Sequence, residues 1–552
     1  MSTNAAAATA SIPEERDDKM PSGIPFIISN EFAERFCFYG INSILAIYLA
    51  HNLHFTDAKA ASWQSMFKMG AYFFPMVGAV ISDVFWGKFR TIFVFSLCYA
   101  AGCVALALLG HTPEAIEASL FFVALGTGGI KPCVSTNVGD QFTAKNQHLI
   151  ERAFSFFYLA INAGSSISIF LCPILLSRPI SLTIAGHTLF TTGSGPSWAF
   201  GLPAAMMMFA TIAFIAGRKR YAHVPPAGKA WLDEVFSKDG IALIGRLLII
   251  YFFVSCFWML WDQSNGNTWT LQAASSLMDK TLLGYTLLPA QLQVVNGLFI
   301  LALVPVFTFG IYPFLGRFFK VTPLRKIGIG LFTVAGSFVI VAGIEARIQR
   351  GEHVSAWWQI LAYVVLTCSE ILVSITALEF SYKQAPLRLK SFVMALFLLS
   401  TSLGNLGVAA VNNLMVKPLS ASTIEAGPET WVTLSTVDKL VTGQKIDITK
   451  NESLLFVGEG GKTVDKEGKP TYLDGTFLVG AIDAQGSRVR LMDPVSRGPV
   501  QTIGSYSAAT HVSTYYLVGP MYFLFFVAVM CAMGIIYIFV AIAYKEQTFV
   551  RT

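Results

Sequence analysis

Charge is what this chain has least of: Asp, Glu, Lys and Arg make up 13% of its 552 residues, about half the share found in soluble domains. With 54% of residues hydrophobic and a mean hydropathy of +0.58, the apolar side chains exceed what soluble cores could hide, which excludes a soluble enzyme. The balance of 39 basic against 33 acidic residues is a net +6, too small and scattered for a nucleic-acid binder. The eight cysteines (Cys37, Cys98, Cys103, Cys133, Cys172, Cys256, Cys368, Cys531) fall in or beside apolar stretches, so no disulfide framework is expected. No HExxH, CxxC or GxSxG pattern occurs, which leaves hydrolase and metal chemistry without residues to rest on. GEGGKT at 458–463 lacks the first glycine of a phosphate loop, Phe456 standing in its place. Histidines lie in loops or at the edges of apolar runs, so a proton relay inside them must use carboxylates. Residues 1–25 lack the basic start and apolar core of a signal peptide and read as a disordered cytoplasmic tail.

Long apolar runs are what the chain has in quantity. A spanning helix needs about 20 predominantly apolar residues, and twelve runs reach that length, near 26–50, 63–86, 90–110, 115–132, 152–176, 197–216, 242–262, 290–313, 324–348, 357–380, 391–415 and 516–544. They predict an all-α polytopic membrane protein, split by a polar linker at 217–241 into two six-helix bundles: 26–216, then 242–416 completed by the last helix within 512–552. One set of loops holds Lys88, Arg90, Lys145, Arg152, Arg218, Lys219, Arg220, Arg317, Lys320, Arg325, Lys326, Lys383, Arg388 and Lys390. Their excess assigns that set and both termini to the cytoplasmic side of a cell membrane, inner or plasma. Residues 417–511 alternate apolar and polar positions around glycine-containing turns, the pattern of a small β-rich domain. Helix parity puts it on the exterior, where the Asn451 sequon would be accessible.

An ionisable residue inside a span costs several kcal/mol and marks a pathway or a relay. The first span carries Glu31, Glu34 and Arg35, spaced to share one helical face. Two acids against one arginine leave an acid without a dedicated partner, able to take up a proton. Lys131 follows GTGG and precedes Pro132; it binds an anion, pairs with the free acid, or snorkels to the interface. Glu370 is the one acid well inside the tenth span, the natural partner of a cation, whereas Asp262 and Glu379 sit near span ends and read as structural.

NEFAERFCFYG, beginning at Asn30, resembles the ExxERFxYY motif of the proton-dependent oligopeptide transporters, a branch of the major facilitator superfamily. GTGGIKPCVSTNVGDQF and FFYLAINAGSSIS are similar to that family's two further signatures, and GAVISDVFWGKFR resembles the loop between spans 2 and 3 of the superfamily. WDQSNGNTWTLQA, LQVVNGLFI and SEILVSITALEFSYKQAP extend the likeness over nearly all the membrane portion, but not over 417–511.

The resemblance implies a symporter for di- and tripeptides, with the proton as coupling ion and no cofactor. It assigns proton coupling to Glu31, Glu34, Arg35 and Lys131, substrate binding to Arg35, Tyr39, Tyr72, Lys131, Asn162, Asn296 and Glu370, and a cytoplasmic latch to Asp83, Lys88 and Arg90. Phe38 replaces the first tyrosine of the motif, and Ser65 aligns with a histidine of animal members. The insertion lies between spans 11 and 12 rather than 9 and 10, so its role cannot be borrowed. Two alternatives are a carrier of nitrate or another small anion, against which Glu370 argues, and a membrane-anchored receptor or adhesion protein working through 417–511.

Overall fold

The computed structural model describes residues 19–110, 112–143, 145–184, 187–226, 228–384, 390–458, 461–464 and 470–544. Most of the expected N-terminal tail, Arg388 and two residues of the 458–463 glycine run lie outside them.

Long helices follow the apolar runs. They are α1 (Ile24–Ile47), α2 (Asp57–Trp86), α3 (Lys88–Leu109), α4 (Pro113–Asp140), α5 (Ile150–Ser177), α6 (Pro196–Ala216), α7 (Lys238–Ser264), α8 (Pro289–Leu315), α9 (Pro323–Gln349), α10 (Trp357–Ser381), α11 (Lys390–Leu414) and α12 (Pro520–Ala543). Eleven are long and apolar enough to cross a membrane; α1 differs because three charges sit in its middle. Large apolar side chains face outward, Phe309 at 82% and Ile542 at 80% exposure, which suits lipid and not water. α1–α6 share one apolar core and α7–α12 another.

Glycine sets the closest approach in the first bundle. Along α4, a Cβ on Gly126 would fall 2.4 Å from Tyr99 Cβ, on Gly128 2.2 Å from Phe74 Cβ, and on Gly129 2.1 Å from the Phe95 ring. The GTGG run thus lets α4 lie directly against α2 and α3, the small-residue packing that membrane helices use in place of a hydrophobic drive. Its threonine is turned the other way, toward α1.

The two bundles meet along a polar seam at the far end of α7. Beyond Ser264 the chain passes through Asn265, Gly266 and Asn267, and Gly266, at φ +74°, fits because it has no Cβ, which would lie 2.4 Å from Asn42 O. Asn42 Nδ2 donates to Asn265 Oδ1 (3.1 Å), Gln64 Nε2 donates to Asn42 Oδ1 (2.9 Å), and Asn267 Nδ2 donates to Ser65 Oγ (2.9 Å).

The β-rich insertion is a seven-stranded antiparallel sheet. Its strands are β1 (Val416–Leu419), β2 (Ala421–Glu425), β3 (Trp431–Leu434), β4 (Lys445–Thr449), β5 (Gly475–Asp483), β6 (Arg488–Met492) and β7 (His511–Tyr515), in the spatial order β1-β7-β4-β5-β6-β3-β2. The alternation read from the sequence is the physical one: Val432, Leu434, Val489 and Leu491 point into a core with Ile446, Ile448 and Phe477. β1 leaves α11 and β7 returns to α12, and the two pair with each other, Val416 opposite Tyr515. The Asn451 sequon is not accessible: the side chain is buried and its Nδ2 donates to Leu454 O at 2.7 Å.

Two expected outcomes follow from this packing. Gly128→Ala forces a methyl against Phe74 and lowers stability by about 1–3 kcal/mol; an unchanged melting temperature in detergent would refute the close-packing account. Asp447 is buried, accepts from Thr476 Oγ1 (2.7 Å) and Tyr515 Oη (2.6 Å), and burial pushes its carboxyl up to about 7. A raised pKa adds stability below the unfolded value, near 3.9, and loses it as pH rises through about 7. Hydrogen exchange of β4 and β5 in the whole chain, corrected for intrinsic rates, therefore shows more protection at acidic than at alkaline pH, and Asp447→Asn shrinks the difference. An undiminished difference in that variant counts against the assignment.

Candidate functional site

The charges of α1 are buried together. Arg35 Nε lies 3.0 Å from Glu31 Oε1, and Arg35 Nη2 lies 2.5 Å from Glu34 Oε2. Thr127 Oγ1, the hydroxyl of the GTGG run, donates to Glu34 Oε1 at 2.8 Å. One guanidinium lies within ion-pair distance of both carboxylates, so the two acids share a single cation.

Lys131 makes no ion pair among the described residues and turns instead to aromatic faces. Its Nζ stands 3.6 Å from the Tyr72 ring centroid and 5.3 Å from that of Phe38, and Arg35 lies 5.9 Å from the same Phe38 ring. The tyrosine missing from the motif is thus replaced by a buried π face shared by two cations. Phe38 also packs edge-on against Tyr39 and Tyr72, with centroids 5.4 and 6.4 Å apart.

Beyond Tyr39 opens a cavity of about 280 Å³ between the bundles, lined among others by Tyr39, Tyr158, Asn162, Trp261, Asn296 and Glu370. Glu370 stands where α10 changes to a π-helical turn over Ile371–Ile375, a local widening common at functional positions. Its Oε2 accepts from Trp261 Nε1 and Asn296 Nδ2, each at 2.9 Å. Four residues expected to bind substrate, Tyr39, Asn162, Asn296 and Glu370, come together here. Arg35, Lys131 and Tyr72 do not line this cavity and form the adjoining cluster, connected to it through Phe38 and Tyr39.

The sequence model of the POT family matches residues 89–244 and 237–432. The chain belongs to the POT family. It is 37% identical over 372 residues to peptide transporter family 1 of Drosophila melanogaster, an alignment covering 60% of this chain and 49% of that protein. It is 35% identical over 374 residues to solute carrier family 15 member 2 of Homo sapiens, covering 60% and 50%. The match thus spans about half the length of these relatives. Among solved structures, the POT family transporter PepTSo in meso superposes with a TM-score of 0.63 at 33% identity, covering 71% of this chain and 90% of that one. An auto inhibited POT family peptide transporter gives 0.62 at 31% identity, covering 71% and 88%.

One buried pair in this POT-family chain escapes a census based on span centres. Lys68 of α2 is 1% exposed, lies 3.3 Å from Asp262 Oδ1 and donates to the carbonyl oxygens of Asp262 (3.0 Å) and Asn265 (2.7 Å). Asn405 Nδ2 of α11 donates to Asp262 Oδ2 at 2.7 Å. A lysine inside the apolar stretch SMFKMGAYFF is the signal that would have found it. Tyr158 and Trp261 were also missed, because a lone aromatic in an apolar run carries no sequence signal of facing a cavity.

Two of the three residues expected to latch the cytoplasmic side, Lys88 and Arg90, share a cleft, and Asp83 lies outside its lining. Lys88 pairs with Asp140 at the end of α4, and both share a cleft with Arg90, Arg218 and His223 whose lining does not include Asp83. Asp83 instead accepts through its carbonyl oxygen from Gly228 N of the linker, at 3.3 Å.

Removing one partner of a buried pair strands the other charge, at about 3–5 kcal/mol. Lys68→Met and Asp262→Asn therefore each lower the melting temperature of the purified chain, and the double variant is less destabilised than the sum of the two. Strict additivity would show that the pair is not coupled.

Proposed function

We propose that this chain is a proton-coupled symporter that imports di- and tripeptides across a cell membrane by alternating access. Its basic loops and both termini lie in the cytoplasm, and residues 417–511 lie outside. The observation that carries this reading is the division of charge between the bundles. The first holds two acids and two cations close together, Glu31, Glu34, Arg35 and Lys131, while the second presents a lone acid, Glu370, to the cavity. The names of the relatives, peptide transporters among them, agree with it.

A zwitterionic peptide matches that division. Glu370 receives the α-ammonium, since Trp261 and Asn296 both engage Oε2 and no described residue donates to Oε1. Arg35 and Lys131 receive the carboxylate, while Tyr39, Tyr158 and apolar surface leave room for varied side chains.

Coupling follows from the charge sum. Glu31 and Glu34 balance Arg35 and Lys131, so an arriving carboxylate leaves the cluster with one excess negative charge in a medium that opposes it. Uptake of a proton by Glu31 or Glu34 restores the balance. A proton falling through 100 mV yields about 2.3 kcal/mol, roughly fifty-fold accumulation of a neutral peptide. A small-anion carrier is disfavoured because Glu370 would repel its cargo.

In proteoliposomes with imposed pH and voltage, labelled Ala-Ala accumulates in the parent. Glu34→Gln and Lys131→Ala lose accumulation but retain peptide counterflow, and Glu370→Gln raises the KM by about 10- to 100-fold, the loss of one charge-assisted contact. N-acetyl-Ala-Ala competes poorly with the parent and regains ground against Glu370→Gln. Full gradient-driven uptake by either cluster variant rejects the coupling scheme, and no uptake by the parent rejects the transport reading.

A further inference from the structure

The sheet domain holds on to both bundles. Its stem belongs to the second, because β1 continues from α11 and β7 leads into α12. Two further contacts strengthen that hold: Arg497 Nη2 donates to Ile348 O of α9 at 3.0 Å, and Gly443 sits so near Gln349 that a Cβ would come within 2.4 Å of its carbonyl oxygen.

On its other flank the domain grips the first bundle. Lys445 Nζ of β4 is 2.6 Å from Asp57 Oδ2, and Asp57 N donates to Thr476 Oγ1 of β5 at 2.8 Å. Thr476 Oγ1 in turn donates to the buried Asp447, so the grip is braced inside the sheet. Asp57 opens α2, the helix that carries Ser65 and Lys68 into the seam. Below lies a small cavity of about 90 Å³ whose lining includes Asp57 of α2, Glu345 of α9 and Lys445. Glu345 is fixed by Gln272 Nε2 at 2.8 Å.

This arrangement constrains any rocking of one bundle on the other. To open the seam, the start of α2 must move away from α7 and α9, yet a domain fastened to α9, α11 and α12 holds that start through a charged peg and a hydrogen bond. We infer that the seven-stranded sheet forms a clasp that keeps the seam shut, with Lys445 as the peg that must leave Asp57 before the first bundle can swing open on this side. The inference rests on the alternating-access reading and adds to it a distinct checkpoint outside the substrate cavity.

The test uses the full chain in liposomes, with accessible native cysteines replaced. Spin labels at exposed Ser181 and Leu283, one on each bundle, report the width of the seam. Lys445→Gln, and Asp57→Asn from the helix side, each raise the ratio of wide to narrow distances about three- to ten-fold, as expected for losing one charge-assisted contact that is partly solvated. Because Asp57 lies outside the sheet, a shift in both variants cannot come from an unfolded domain, and an unchanged distribution in both overturns the clasp. In a second arm, Asp57→Cys and Lys445→Cys are joined by a cleavable bis-methanethiosulfonate reagent. Ala-Ala uptake falls at least ten-fold and recovers on reduction, while the single variants treated alike do not fall; uptake undiminished by the cross-link overturns the clasp. A parent that carries no peptide defeats the transport reading alone, and the spin-label arm then decides the clasp without it.

Discussion

The interior depends on one guanidinium. In a low-dielectric medium a charge without an opposite is costly, and Arg35 answers two carboxylates with one planar fork. Much else follows from that choice. Because Glu31 and Glu34 are both taken, Lys131 is left to the faces of Tyr72 and Phe38. Because Glu34 also needs a donor on its other oxygen, α4 must bring Thr127 against α1, and the glycines around that threonine free the opposite side of α4 to lie on α2 and α3. The local sequence GTGGIK thus supplies close packing, a hydrogen bond and a cation within six successive residues.

Most of this architecture was legible from the chain because it rests on local properties. Run length marked the helices, since lipid demands about 20 apolar residues whatever the partner, and alternation marked the strands, since a half-buried sheet repeats every second residue. The ExxER spacing predicted a shared face, and Glu31, Glu34 and Arg35 do meet. Long-range pairing was not legible. Lys68 finds Asp262, and Lys88 finds Asp140 rather than the nearby Asp83; no periodicity within one helix encodes such a meeting. The grip of the sheet domain on α2 was equally silent, because Lys445 and Thr476 look like ordinary strand-face polar residues until the sheet is docked.

The seam and the central cavity divide polar work differently. In the seam, Asn42, Gln64, Asn265 and Asn267 are neutral amides that hydrogen-bond to each other and to Ser65, and Lys68 and Asp262 are the charged pair among the described residues there. Neutral amides exchange partners at modest net free energy, which suits the parting and rejoining that the alternating-access proposal requires. Around the cavity, by contrast, the acid in the lining, Glu370, takes only neutral donors among the described residues, Trp261 and Asn296.

The pairing of β1 with β7 has a consequence for how so large an insertion is tolerated. Val416 and Tyr515 are cross-strand neighbours, so the ends that α11 and α12 present to the domain are no farther apart than the two sides of a hairpin. Loop-closure entropy depends on the length of flexible chain that must be brought back on itself, and here the sheet supplies that closure through its own hydrogen bonds. To the membrane helices, the whole domain is thermodynamically a tight turn.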